Sequence, residues 1–151
     1  MGVEVGTLYV RRSVFIDASP ERVWQELADA ERIATWLGIG HELHRFEPKL
    51  GGIVDMSVDG GDGKRAHYGG EVIVFDPARE VTFECNWSDE DRRWPVPTLW
   101  TIRLTALYAG TRVELFHHGF ERLGAAAGDE LEGYEQGWDL KHLTALRRQS
   151  E

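Results

Sequence analysis

Between His41 and Gly119 the sequence passes through six stretches with the two-residue period of a strand, and no pattern of helical length interrupts them. They read HELHRFEP, GGIVDMSVDG, KRAHYGGEVIVFDP, REVTFECNW, PTLWTIRLTALYAG and TRVELFHHGF, punctuated by GG, DGGDG, DP and AG turn signals. Strands that follow one another without crossover helices pair antiparallel, as a meander. Parity then assigns the faces. Val81, Phe83, Cys85 and Trp87 share one side of their strand, as do Trp100, Ile102 and Leu104, and Val113, Leu115 and His117. Tyr68 points the same way with Gly70, Val72 and Val74.

The flanks complete the order. TLYVRRSVFID, residues 7–17, puts Leu8, Val10, Val14 and Ile16 on one period-2 face and reads as a first strand. Ser19 then fits an N-cap and Pro20 the first helical position, with Val23, Trp24 and Leu27 as an apolar stripe. A second short helix is expected over Glu31 to Leu37, ending before GIG. Residues 128–148 read as a final helix, with Leu131, Tyr134, Trp138, His142 and Ala145 in one narrow arc. Its glycines, Gly133 and Gly137, each cost a helix interior about 1 kcal/mol against alanine. They serve either tight helix–sheet packing around Trp138 or close approach of a ligand to the helix backbone.

A sheet wider than about five strands must twist and curl, and a long helix can fill the resulting groove. The expected fold is therefore α+β: a helix-grip arrangement in which a curved antiparallel sheet of about seven strands wraps a long C-terminal helix, with two short helices between strands 1 and 2. Residues 1–151 read as one domain, a common domain size.

Several function classes are disfavoured. The formal charge of −9, from 26 acidic and 17 basic residues, repels phosphate backbones, and the RR pairs are isolated, so no nucleic-acid partner is expected. No apolar run approaches the roughly 18 residues of a membrane span. The N-terminus lacks a signal-peptide pattern, and Cys85 is the single cysteine, so a cytoplasmic location is expected, as monomer or homodimer. No metal is expected: His41 and His44, three apart in a segment that reads as strand, face opposite sides, and His117 and His118 diverge. DGGDGK lacks the spacing of a calcium loop and reads as a hairpin turn, and no phosphate-binding loop or GxSxG elbow is present. No cofactor is expected.

Five segments in order resemble one family. IDASPERVWQELADAERIATWL resembles an opening Ala-x-Pro-x-x-Val-Trp helix, and PKLGGIVDMSV a Gly-Gly strand start. GGEVIVFDPAREVTFECNW, AGTRVELFHHGF and YEQGWDLKHLTAL are similar to its later strand blocks and its terminal Gly-Trp helix. Together they resemble the START-like (SRPBCC) superfamily, which includes the birch-pollen allergen fold. Within it the nearest resemblance is to bacterial domains similar to the activator of the heat-shock protein 90 ATPase. One departure is visible: the Trp of the second helix, Trp36, is flanked by Thr35 and Leu37 where the family usually adds an aromatic.

The resemblance implies an interior cavity between sheet and last helix that holds a hydrophobic or aromatic small molecule. Trp36, Met56, Phe83, Trp87, Trp100, Tyr134 and Trp138 would supply its surface, with Tyr68 and His117 orienting the ligand. His117 on its own reads first as a satisfied core histidine, bonded to backbone or to Tyr134, with the general acid/base of a cyclase-like or hydrolytic enzyme as the alternative. A chaperone-regulating interaction module is the remaining alternative.

Overall fold

The computed structural model describes residues 8–59, 65–89, 93–127, 130 and 140–151. In chain order the elements are β1 (Val10–Ile16), α1 (Pro20–Trp24), α2 (Ala30–Leu37), β2 (Glu42–Phe46), β3 (Ile53–Asp59), β4 (Arg65–Asp76), β5 (Glu80–Ser88), β6 (Thr98–Leu107), β7 (Gly110–His118), a 3-10 segment (Phe120–Ala126) and α3 (Leu140–Ser150). The seven strands form one sheet in the order β1-β7-β6-β5-β4-β3-β2, and every neighbouring pair is antiparallel. The meander from β2 to β7 thus closes on β1, whose Val14 faces Val113. The curled sheet, the two short helices after β1 and the terminal helix make an α+β helix-grip fold.

Local chemistry sets the helix ends. Ser19 Oγ accepts the Arg22 N–H at 3.2 Å and Pro20 opens α1. Of the expected stripe, Val23 and Trp24 lie on α1 and Leu27 follows its end, and Asp29 caps the expected separate second helix. Its carboxylate accepts the N–H groups of Glu31 and Arg32 at 2.9 and 3.0 Å. α2 packs Ile33, Trp36 and Leu37 inward, all fully buried.

α3 lies against β1, α2 and α1, and buries Leu143 and Leu146 in the same core as Val10, Ile16, Val72, Phe83 and Trp100. The arc expected for the last helix includes residues 131, 134 and 138, which fall outside the described residues, as do Gly133 and Gly137. Its described part agrees, with His142 fully buried and Ala145 packed at the core edge.

One face assignment is corrected. The β4–β5 register shifts between Val72 and Val74, so two β4 residues oppose one on β5. Val72 stays inward opposite Phe83, but Phe75 rather than Val74 takes the next inward place, opposite Val81 and 5.2 Å from the Trp24 ring. Upstream in β4, Gly69 has a φ of 138°, which suits glycine. A Cβ there would lie 2.1 Å from the Val54 carbonyl oxygen.

Candidate functional site

The strand register gathers the sheet-borne candidates into two cross-strand rows on the inner face. Met56 pairs with Tyr68 and Tyr68 with Trp87, across β3, β4 and β5. Phe83 pairs with Trp100 and Trp100 with His117, across β5, β6 and β7. Parity alone gave each residue a side; pairing made them neighbours. Trp36 stands apart on α2, where its indole N–H donates to the Glu26 carbonyl at 3.0 Å and anchors the α1–α2 corner. Tyr134 and Trp138 lie outside the described residues.

In the second row, the Phe83 and Trp100 rings stack at 4.6 Å. His117 is fully enclosed, with Nε2 at 2.7 Å from Thr98 Oγ1, and that hydroxyl donates to the Cys85 carbonyl at 3.1 Å. A threonine hydroxyl has one proton. Since it goes to the carbonyl, the imidazole must carry its proton on Nε2 and donate to the hydroxyl. Burial first, and then the neighbouring His118, push the His117 pKa down to about 3, which keeps the ring neutral.

The first row ends in a polar group. Tyr68 is only 4% exposed, and its ring stacks on Trp87 at 5.9 Å with 15° between the planes. Its hydroxyl sits 2.5 Å from His41 Nδ1. The His41 ring stacks in turn on His142 of α3, at 5.6 Å and 20°, and His142 Nε2 donates to the Ile39 carbonyl at 3.0 Å. His41 therefore joins the turn after α2, the sheet and the terminal helix. Desolvation, then the adjacent His142 and Lys141, lower its pKa to about 4, while burial raises that of Tyr68. At neutral pH the pair is an uncharged donor–acceptor couple.

The rows are linked by a seam of rings: Trp87 to Trp94 at 6.5 Å, Trp94 to Phe120 at 6.3 Å, and Phe120 to His117 at 4.7 Å. Trp87 remains partly exposed, and its indole N–H donates to Asp89 at 2.9 Å.

Sequence reasoning missed His41 as a site residue because it read the segment as strand from that position. The strand begins at Glu42, and His41 belongs to the turn that Gly38 opens, so alternation does not govern its direction. Its signal was the GIG ahead of it. His142 was placed on the inward arc without a role. Among the described residues no group of three or more His, Cys, Asp or Glu could hold a metal ion, and no helix is long and apolar enough to cross a membrane.

Residues 17–148 match the family model described as activator of Hsp90 ATPase homolog 1-like protein. The chain belongs to that family. Solved structures share the fold at low identity. A protein from Arthrobacter aurescens is 19% identical with a TM-score of 0.74, covering 99% of this chain and 89% of its own. One from Mesorhizobium loti is 22% identical with a TM-score of 0.71, covering 93% and 95%. Another, from Chromobacterium violaceum, is 22% identical with a TM-score of 0.68, covering 93% and 94%. No curated protein matches the chain. The family match spans α1, the whole meander from β2 to β7 and most of α3, so both cross-strand rows and the His41–His142 stack fall within it.

Proposed function

We propose that this family member binds an aromatic or hydrophobic small molecule between the inner face of the sheet and the C-terminal helix. The observation that carries the reading is the first row's composition. Stacked, inward aromatic faces run from buried Tyr68 to the partly exposed Trp87, and end at a neutral polar couple, Tyr68–His41. Ligand pockets of this kind pair apolar walls with a few fixed polar groups that set orientation. Here Trp87 offers a ring face and Tyr68–His41 a hydrogen bond. His117, held neutral and already bonded to Thr98, supports the wall from behind.

The test uses N-phenyl-1-naphthylamine, a neutral aromatic probe. Saturable fluorescence enhancement with one probe per chain is expected. Trp87→Ala should weaken it by about tenfold, the scale of one lost aromatic contact of roughly 1.4 kcal/mol. Tyr68→Phe, which keeps the ring, should leave probe affinity within about threefold, because this probe offers no strong acceptor for the hydroxyl. Absence of saturable binding, together with a native mass free of any non-covalent adduct, would overturn the proposal.

A further inference from the structure

The opposite face of the sheet carries a second set of chemistry that the interior site does not use. On β1, β7 and β6 the outward positions bring Arg11, Phe116, Glu114, Arg112, Thr101 and Arg103 together. Arg11 pairs in register with Phe116, and Glu114 with Arg103. With Tyr9 they line a pocket of about 420 Å³.

The pocket is built around a buried carboxylate. Glu114 is only 7% exposed although it lies on the outer face. Arg11 donates to Glu114 Oε2 from Nε at 3.0 Å and from Nη2 at 2.5 Å, and Arg112 Nη2 lies 3.2 Å from Oε1. Arg103 is held from the other side by Glu80, with Nε at 3.1 Å and Nη2 at 2.8 Å from Oε1. The Arg side chains nevertheless stay about half exposed, at 55% for Arg11, 47% for Arg112 and 55% for Arg103.

These contacts orient the guanidiniums without exhausting them. Each has five N–H donors in a fixed fork, and the carboxylates occupy two on Arg11, one on Arg112 and two on Arg103. Three guanidiniums against two carboxylates leave one positive charge, in a chain whose formal charge is −9. An aromatic wall adjoins them: Tyr9 and Phe116 meet edge to face at 5.2 Å, and Tyr9 is 37% exposed. Planar guanidinium forks beside aromatic faces match an oxyanion carried on a ring.

We propose that this outer-face pocket is a second binding site, for a small aromatic oxyanion held by Arg11, Arg103 and Arg112 with its ring against Tyr9 and Phe116. Glu114 is the positioning residue that fixes two of the three arginines. The site is separate from the interior one, because Trp87 and Tyr68 lie on the inner face of other strands.

Phenyl phosphate and benzoate are the probes, titrated by calorimetry and by the arginine Nε–Hε resonances in NMR. Saturable binding of at least one, with shifts at Arg11, Arg103 and Arg112, is expected. Arg112→Gln should weaken it at least about tenfold, as loss of a charge-assisted contact does, and Lys49→Gln should leave it unchanged. Arg103→Gln leaves the Arg11 and Arg112 bonds to Glu114 in place and gives a second test should the Arg112 variant not fold. Preference for phenyl phosphate or for benzoate names the oxyanion. Trp87→Ala should leave this binding intact, which separates the result from the fate of the interior site. Failure of both probes to bind saturably, or binding indifferent to the arginine variants, would sink the proposal.

Discussion

At the residue scale, buried His117 and partly buried His41 give the chain a pH dependence with a defined sign. His117 and His41 have folded-state pKa values of about 3 and about 4, below the ordinary value of 6.5. Below pH 6.5 the unfolded chain therefore binds protons that the folded chain refuses. The stability they contribute is fully present above that pH and is lost as pH falls toward the folded values. Each histidine adds a slope of about 1.4 kcal/mol per pH unit inside its window. Urea unfolding at pH 7.5, 6 and 5 should show falling stability, and His117→Gln should lower the slope by about 1.4 kcal/mol per pH unit between about pH 6 and 4. An equal slope in the variant would mean that His117 titrates normally. The same residue shows where the sequence stopped: period 2 gave its inward direction, but its hydroxyl partner, Thr98, lies 19 positions away and is set by β6–β7 pairing.

Element by element, the helix caps and the positive-φ Gly69 of β4 are the points where one change has a definite cost. Asp29→Ala removes the acceptor for two backbone N–H groups at the start of α2 and should cost about 1 kcal/mol in a denaturant melt. Asp29→Ser should restore most of it. Gly69→Ala is far more damaging, since its Cβ would lie 2.1 Å from a backbone oxygen at a φ of 138°. A loss above about 2 kcal/mol is expected, read as a lowered unfolding midpoint. Boundaries of the strands were largely legible because alternation and turn residues are local signals. The bulge after Val72 was not, because a bulge is a mismatch between two strands and neither strand shows it alone. The break between α1 and α2 was legible too, because Asp29 favours a helix cap over a helix interior.

For the whole molecule, the terminal helix is the lid of the core. Leu143→Ala removes a fully buried side chain shared by α3 and the sheet core, and should destabilise by about 2–5 kcal/mol. If the interior holds a small molecule, that substitution should also weaken N-phenyl-1-naphthylamine binding more than its distance from Trp87 suggests, because the helix positions His142 and through it His41. Wild-type probe affinity in a folded Leu143→Ala chain would separate the helix from the binding surface. By itself the sequence determined the element order, the inward side of most strands and the helix-grip architecture, since periodicity, caps and turn chemistry are carried by residues close together in the chain. The tertiary structure alone decided which side chains are neighbours: the two cross-strand rows, the His41–Tyr68–His142 junction and the arginine pocket around Glu114. Those groupings depend on strand register and on the packing of α3, where residues far apart in sequence settle their geometry by mutual contact.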